Sequence, residues 1–337
     1  MSKTIERRNP TLADVADRAG VSRSLASLAL RGDPGVLPEK RARILRAAAE
    51  LNYRPNPLAR DLASRETRTV GVVVGDITNP FLAVLAREID SLARARGYDV
   101  LLSINGAPDE AARASVEGLL AQRVAGVVLV GAPTSDAAIR AIAGLLPVAY
   151  VGRHLATLEV DSVSTDDFFG ATLAVEHLVG AGHGRIAHVD GGTGAGARRR
   201  REGYASAMGR CGLEPRIVPG SYSIDAGAEA AREPMRSDAA PTAIFAANDL
   251  VALGVMNHLA RSGLSVPGDV AVVGYDDMPL AATETVSLTT VRQPIARLAE
   301  EGLESLVRRV KAPAEAVRRA LISPELVTRR STGRTPA

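Results

Sequence analysis

The 337-residue sequence has a single cysteine, Cys211, no tryptophan and no apolar run long enough to cross a membrane. One thiol cannot form a disulfide within the chain, and without a Cys or His cluster it does not indicate a structural zinc site. The first twenty residues lack the apolar segment of a secretion signal. We therefore expect a cytoplasmic protein with no membrane segment, no metal and no cofactor.

The sequence also lacks a recognisable catalytic grouping. His183 and His188 have no nucleophile or second ligand nearby, so we expect structural roles for them and no catalytic residues. The glycine-rich run at residues 191–197 gives only G-x-G-x-x-A, and no Walker lysine follows it. A nucleotide-binding α/β enzyme is therefore the weakest of the alternatives.

Charge is unevenly distributed along the chain. Residues 1–68 contain 14 Lys and Arg against 8 Asp and Glu, whereas residues 69–337 contain 27 against 30. A small basic segment on a mildly acidic body suits a polyanionic partner that is contacted at one end only. An ordinary arginine-rich solvated surface would give the same balance, so charge alone does not decide between the two.

The N-terminal pattern predicts a helix-turn-helix. Residues 12–19 carry an apolar stripe between an N-cap at Thr11 and a left-handed turn at Gly20. Ser22 caps a second helix over residues 23–30, and a third begins at Pro38. The third helix is expected to pack through Ile44, Leu45, Ala48 and Leu51. In a helix-turn-helix the second helix lies in the DNA major groove, although many helical hairpins share this spacing without binding DNA.

A short segment at residues 53–64 follows, with Asn56 as N-cap, Pro57 at the first helical position and about two turns of helix. Leu58 and Leu62 form an apolar edge with no local partner. One interpretation is an interdomain linker whose leucines dock on a neighbouring domain. The other is a hinge that inserts a wedge into the DNA minor groove.

From Thr69 onward, short apolar runs alternate with helical stretches such as residues 81–96 and 250–262. The alternation predicts parallel sheets covered on both faces, and the number of runs favours two doubly wound lobes over one sheet. The apolar runs are residues 70–74, 100–102, 124–130, 148–151, 186–189, 243–247 and 270–273.

Polar residues follow several of these strands, at the edge where ligands bind in such folds. They are Asp76, Asn79, Arg153, Asn248, Asp249, Asp276 and Asp277. Carboxylates, amides and an arginine that converge there suit a polyhydroxylated ligand, because they pair with hydroxyl donors and acceptors. The alternative is that they only cap helices and form turns.

Over nearly its whole length the sequence resembles the lactose/galactose repressor (LacI/GalR) family. The motifs that carry the resemblance are TLADVADRAGVS, GDPGV, PEKR, YRPNPLARDLAS, DITNPF, LLAQRVAGVVLV, GHGRIAHV, PTAIFAANDLVALG, VPGDVAVVGYDD and LTTVRQP. The resemblance implies an all-α helix-turn-helix headpiece followed by an α/β, two-lobed, periplasmic-binding-protein-like sensor with two doubly wound parallel sheets.

The resemblance also implies site residues. Operator DNA would be contacted by Thr11, Ser22, Arg23, Ser24, Ser27, Leu28, Arg31 and Tyr53, and by the hinge residues Asn56, Ala59 and Leu62. The effector would be bound by Asn79, Phe81, Arg200, Tyr222, Asn248, Asp276 and Gln293, with Tyr222 as an aromatic wall against a sugar face.

The chain departs from the family pattern at several of these positions. Leu28 stands where the family commonly has an arginine, so it can contact a thymine methyl but not pair with guanine. Arg31 either compensates by reading a base or contacts a phosphate at the helix end. Asp61 adds a negative charge to the hinge, and Gly152 replaces an aspartate that would anchor a ligand.

We predict a headpiece at residues 1–53, a hinge at 54–68 and a sensor at 69–337. The N-lobe would comprise residues 69–163 and 294–322, and the C-lobe residues 164–293 and 323–332. The expected function is ligand-modulated repression by a homodimer on operator DNA, with a sugar or related polyol as effector. The alternative is a solute-binding receptor without a DNA role.

Overall fold

The computed structural model of the chain describes residues 10–53, 67–104, 109–236 and 239–333. The chain divides into two compact units, residues 1–67 and 68–337. Within residues 10–53, the described part of the smaller unit, lie the helices α1 (Leu12–Ala19), α2 (Arg23–Leu30) and α3 (Pro38–Glu50). Their bounds match the predicted helices, because the caps and the turn that set them are local features of the sequence.

The caps of the headpiece form as expected. The Thr11 side chain accepts a hydrogen bond from the Asp14 backbone N–H, and the Asp14 carboxylate accepts one from the Thr11 backbone N–H. Gly20 closes α1 in the left-handed conformation at φ +61°, and Ser22 caps α2. The core packs around Val15, Ala26 and Ile44.

The predicted packing of α3 is wrong at one position. Ile44 and Ala48 are buried and Leu51 is half-buried, but Leu45 is 49% exposed. Leu45 follows Ile44 directly, so it lies about 100° around the helix from the residue that faces the core.

The described residues of the larger unit form two six-stranded sheets. The first sheet has the order β11-β5-β4-β3-β1-β2, and all its strand pairs are parallel. Its strands are β1 (Thr69–Val74), β2 (Asp99–Ile104), β3 (Val127–Val130), β4 (Val148–Val151), β5 (Asp161–Thr165) and β11 (Arg319–Ile322). The helices of this N-lobe are α4 (Pro80–Ala95), α5 (Asp109–Ala121), α6 (Asp136–Ala143) and α11 (Ile295–Lys311).

The second sheet has the order β12-β10-β9-β8-β6-β7, and β12 alone pairs antiparallel in it. Its strands are β6 (Ile186–Val189), β7 (Arg216–Val218), β8 (Ala243–Ala246), β9 (Ala271–Asp276), β10 (Thr289–Arg292) and β12 (Glu325–Val327). The helices of this C-lobe are α7 (Asp167–Gly180), α8 (Ala197–Arg210), α9 (Ile224–Arg232) and α10 (Asp249–Arg261).

Each sheet separates two apolar cores, one on each face. In β1, Val72 and Val74 pack against α4 and α11, whereas Val73 faces the core built with α5 and α6. Strands buried on both faces are mostly apolar, which explains the continuous runs in the sequence. The two mostly parallel sheets and the helical headpiece confirm the predicted fold class.

Candidate functional site

A cavity of about 410 Å³ lies between the two lobes, at the carboxyl ends of the central strands of both sheets. Parallel strands leave such a crevice because the loops after neighbouring strands diverge. The cavity is lined by all seven residues predicted to bind an effector: Asn79, Phe81, Arg200, Tyr222, Asn248, Asp276 and Gln293. The structure therefore brings the predicted set together, and below we call this space the effector cavity.

The N-lobe wall of the effector cavity is mostly apolar. Asn79 caps α4 by accepting a hydrogen bond from the backbone N–H of Phe81 at 3.0 Å, and Phe81 itself is buried. Ile77, Leu82 and Ile104 add further apolar surface. This side of the cavity can contact the carbon skeleton of a ligand, and Asp76, Thr78 and Asn79 add polar groups to it.

Three glycines form the N-lobe floor. Gly75, Gly131 and Gly152 follow the neighbouring strands β1, β3 and β4. At Gly152 the backbone has φ +110°, and an added Cβ would meet only the Gly131 backbone, at 3.6 Å. Among the described residues no side chain fills this position, so the space where the family has an aspartate is open.

The C-lobe wall is centred on the guanidinium of Arg200, which is buried. It donates to the Asp167 carboxylate at 2.8 Å and to the backbone oxygen of Ala247 at 2.6 Å, and it lies 3.9 Å from Asp276. It also stacks on the Tyr275 ring, 3.6 Å from the ring centroid. Two carboxylates and an aromatic face together stabilise this charge, which would be costly to bury alone.

Asp276 joins both lobes in one hydrogen-bond chain. It accepts a hydrogen bond from the Gln293 amide at 2.7 Å, and the Gln293 oxygen accepts one from Thr165 of the N-lobe at 2.6 Å. Burial raises the pKa of Asp276 to about 6, although Arg200 and the hydrogen bonds from Gln293 and Asn248 oppose the rise. Its backbone lies at φ +111°, a strained conformation of the kind found at binding sites.

Tyr222 explains the glycine-rich run. A Cβ at Gly191 or Gly194 would lie 2.4 or 2.3 Å from the Tyr222 ring, so only glycine permits the ring to pack there. The Tyr222 hydroxyl donates to the backbone oxygen of Ala195 at 2.8 Å. The run therefore holds an aromatic wall of the cavity, which accounts for it without a bound nucleotide.

Three of the polar residues predicted at the strand ends do not line the effector cavity. Arg153 pairs with Asp136 at 2.9 Å. Asp249 is buried and accepts hydrogen bonds from Thr290 and the Met278 backbone. Asp277 pairs with Arg292 and Arg329 at 2.6 and 2.7 Å.

Asn248 has both of the predicted roles, because it caps a helix and also lines the effector cavity. Its side-chain oxygen caps α10 by accepting from the Val251 backbone N–H at 2.9 Å, while the residue lines the cavity. A single amide can serve both functions because its oxygen and its nitrogen take different partners.

In the headpiece, Thr11, Ser22, Arg23, Ser24 and Arg31 are exposed, and Ser27 is half-buried. Leu28 and Tyr53 pack partly against the headpiece core. The helix α2 ends at Leu30 with Arg31 as its C-cap, so Arg31 stands at the helix end rather than within the helix. Asn56, Ala59, Asp61 and Leu62 lie outside the described residues.

The described residues contain no group of three or more His, Cys, Asp and Glu that could hold a metal ion. His188 is buried against Phe245, and burial lowers its pKa to about 4, so it is neutral at physiological pH. His183 contacts Thr242 at 3.1 Å. Both contacts are those of structural histidines.

Comparison with known protein families matches residues 11–56 to bacterial regulatory proteins of the lacI family and residues 175–332 to the periplasmic binding protein-like domain. The ribose operon repressor of Escherichia coli K12 is 34% identical over 327 residues, which cover 95% of this chain and 99% of that protein. This chain belongs to the lacI family. The repressor CytR of the same organism is 30% identical over 331 residues, 97% of each chain.

Solved structures of lacI-family proteins agree with the fold. A lac repressor dimer bound to operator and the anti-inducer ONPF superposes with a TM-score of 0.86 at 30% identity, covering 96% of this chain and 99% of that one. A complex of the regulator CelR with cellobiose gives 0.72 at 32% identity, with the same coverage.

As a lacI-family protein the chain is a DNA-binding transcription regulator with a small-molecule sensor, which confirms the predicted function. Its relatives are repressors rather than enzymes. Regulators of this family act on DNA in the cytoplasm. No helix within the described ranges is long and apolar enough to span a bilayer.

Reasoning from the sequence missed the residues that hold the cavity in place. Thr165, Asp167 and Tyr275 contact Gln293 or Arg200 directly, yet none was singled out. One signal was available: an arginine predicted to line a buried cavity requires a carboxylate partner.

Proposed function

We propose that this chain is a homodimeric repressor whose affinity for a pseudo-palindromic operator is lowered by a neutral sugar or related polyol bound in the effector cavity. The ribose operon repressor and the operator-bound lac repressor dimer are the relatives that support this proposal. A two-fold dimer presents one headpiece to each half-site, so operator symmetry follows from protein symmetry.

The observation that carries the ligand class is the combination of polar groups and apolar surface around the cavity. Asp276, Asn248 and Gln293 present carboxylate and amide groups from one side, while Phe81 and Ile104 face them from the other. A sugar ring has hydroxyls at its rim and C–H groups on its faces, which suits both walls. Among the described residues that line the cavity, the one cation is Arg200, and it is already paired with Asp167, so an anionic effector gains little here.

The hydrogen-bond chain from Thr165 through Gln293 to Asp276 suggests how the ligand acts. This chain crosses from one lobe to the other, so a ligand that bonds to Asp276 stabilises one relative orientation of the lobes. The ligand lowers DNA affinity only as far as it binds that orientation better than the one that holds DNA.

In the headpiece, the exposed side chains of Ser22, Arg23 and Ser24 at the start of α2 are proposed to contact the operator. Arg31 is proposed to contact a phosphate, because it stands at the helix end. The hinge residues Asn56, Ala59 and Leu62 are proposed from the family resemblance alone.

Footprinting of the DNA upstream of the gene, with and without a panel of neutral sugars and nucleosides, tests the proposal. We expect a protected palindrome that one ligand releases, and an Asp276→Ala variant that binds the same site but no longer responds. Asp269→Ala, an exposed carboxylate elsewhere on the C-lobe, is the matched control and should respond normally. No protection at low salt across the region would contradict the repressor role, and a normal response of Asp276→Ala would remove Asp276 from the effector site.

A further inference from the structure

A second cavity of about 430 Å³ lies between the lobes and shares Gly194 with the effector cavity. Its N-lobe wall is formed by the segments that follow β4 and β5, and its C-lobe wall by the loop before α8 and the first turns of that helix. Below we call it the arginine cavity, because four arginines line it: Arg153, Arg198, Arg199 and Arg201.

These guanidinium groups have more N–H donors than their partners within the protein use. Arg198 and Arg199 each hold Glu202 through one nitrogen, at 2.6 and 2.9 Å, and Arg201 approaches Asp190 at 3.4 Å. Because a guanidinium carries five N–H donors in a fixed fork, several donors of each side chain remain available to a ligand.

The carboxylates in the same wall already have partners. Asp136 pairs with Arg153 at 2.9 Å and Asp167 with Arg200 at 2.8 Å. Asp166 accepts a hydrogen bond from the Phe169 backbone at the start of α7. They therefore do not occupy the free donors of Arg198, Arg199 and Arg201.

The pKa of His154 indicates the sign of the electrostatic potential around it. Burial and the charges of Arg199, Arg319 and Arg198 lower its pKa, and Asp166 opposes them. Arg199, Arg319 and Arg198 each act on His154 more strongly than Asp166 does, which favours a negatively charged occupant beside His154.

Ser164 is the independent observation that a ligand group is missing. Its side chain lines the arginine cavity and is 1% exposed, yet its hydroxyl oxygen has no hydrogen-bond partner among the described residues. Buried polar atoms are nearly always hydrogen-bonded, so an unpartnered hydroxyl in a cavity wall indicates a bound polar atom.

We propose that the arginine cavity binds a small organic phosphate, with Arg198 and Arg199 holding the phosphate and Ser164 donating one hydrogen bond to it. Guanidinium forks match phosphate oxygens in geometry and charge. The volume is that of a site for a small metabolite.

The arginine cavity is connected to the effector cavity by two direct contacts. Thr165 and Asp167 line the arginine cavity, and they bond to Gln293 and Arg200 of the effector cavity at 2.6 and 2.8 Å. A ligand in the arginine cavity touches both lobes, so it acts on the same lobe orientation as the effector and is a second input to the regulator.

Calorimetric titration of the full-length protein with glycerol 3-phosphate, and with glycerol as the uncharged counterpart, tests the proposal. We expect the phosphate to bind and glycerol not to. Arg198→Gln and Arg199→Gln should each weaken binding about tenfold or more, because each removes a charge-assisted hydrogen bond. Arg210→Gln, the same change at the far end of α8 and outside the cavity, should leave affinity unchanged.

Ser164→Ala separates ligand binding from folding. Its hydroxyl bonds to no described residue, so the variant should melt no lower than the wild type and yet bind glycerol 3-phosphate more weakly. The proposal is overturned if glycerol 3-phosphate does not bind at millimolar concentration, or if Arg198→Gln and Ser164→Ala bind it normally. Loss of binding in Arg23→Gln instead would assign the phosphate to the headpiece. Binding of succinate but not of glycerol 3-phosphate would exclude a phosphate site. Either result also overturns the proposal.

Discussion

Replacing Asp276 by asparagine is expected to change how the stability of the sensor depends on pH. The Asp276 carboxyl is 4% exposed, and burial raises its pKa from the ordinary 3.8 to about 6. Asparagine keeps the shape and the hydrogen bond with Gln293 but cannot titrate. The difference in unfolding free energy between wild type and Asp276→Asn therefore isolates this one ionisation.

The direction follows from proton linkage. The folded state holds the Asp276 proton more tightly than the unfolded state, so the contribution of this group is complete below about pH 4 and is lost as the pH rises through about 6. A shift of about two pKa units corresponds to about 3 kcal/mol. The stability of the wild type relative to Asp276→Asn should thus fall by about 3 kcal/mol between about pH 3 and pH 7.

Urea unfolding followed by circular dichroism, at several pH values across this window, measures the difference. Asp269→Asn is the control, because hydrogen bonds from Ser265 lower the pKa of that exposed carboxyl. Its contribution has the opposite sign: it is present above the unfolded pKa and lost as the pH falls. A wild-type-minus-Asp276→Asn difference that stays constant across the window, or that grows with pH, would refute the reasoning.

Three further changes test the cavity wall and the DNA-reading elements. Gly191→Ala places a Cβ 2.4 Å from the Tyr222 ring and should lower the free energy of unfolding by about 1–3 kcal/mol in a thermal melt. The control Gly118→Ala, in open space on α5, should raise it by about 0.5–1 kcal/mol. An unchanged stability of Gly191→Ala would contradict the close packing. Leu28→Arg restores the family arginine and should shift operator preference towards guanine by about 1–3 kcal/mol in a binding selection. An unchanged preference would exclude a base contact at this position. Leu62→Ala should weaken specific binding far more than nonspecific binding in gel shifts, and equal losses would remove the wedge role.

The headpiece could be predicted almost residue by residue because its signals are local. A cap such as Thr11 and a left-handed turn at Gly20 act within one turn of helix, so they are visible in the sequence. The misplaced Leu45 shows the limit of such reasoning. An apolar residue at a helix position next to the core-facing stripe is consistent with either burial or exposure, and only the partner helices decide.

The strand β5 shows what a search for apolar runs does not find. Its residues are DSVST, and Asp161, Ser162 and Thr165 are buried although they are polar. Asp161 is held by the guanidinium groups of Arg308 and Arg309 at 2.8 Å each, from a helix more than 140 residues away in the sequence. Long-range partners make such a strand stable, and no local pattern records them.

The strand-end rule selected Asn79, Asn248 and Asp276 of the effector cavity, and the family resemblance supplied the rest of the set. The strand-end rule alone also selected Asp277 and Arg153, which the structure turns towards Arg292 and Asp136 instead. The rule identifies the edge of the sheet at which a residue lies but not the direction of its side chain. At Asp277 the backbone adopts φ +56°, and this local turn points the carboxylate away from the cavity.

The charge of Arg200 is the point from which the missed residues could have been inferred. A buried guanidinium needs carboxylate partners, and Asp276 at 3.9 Å satisfies that need only in part. Asp167, at 2.8 Å, supplies the rest, and its neighbour Asp166 uses its own carboxylate to cap α7. Of these two adjacent aspartates, Asp166 therefore caps α7, and Asp167 pairs with the Arg200 guanidinium between the two cavities. Because Asp167 lines one cavity and neutralises the arginine of the other, the balance of charge in either cavity depends on what the other one holds.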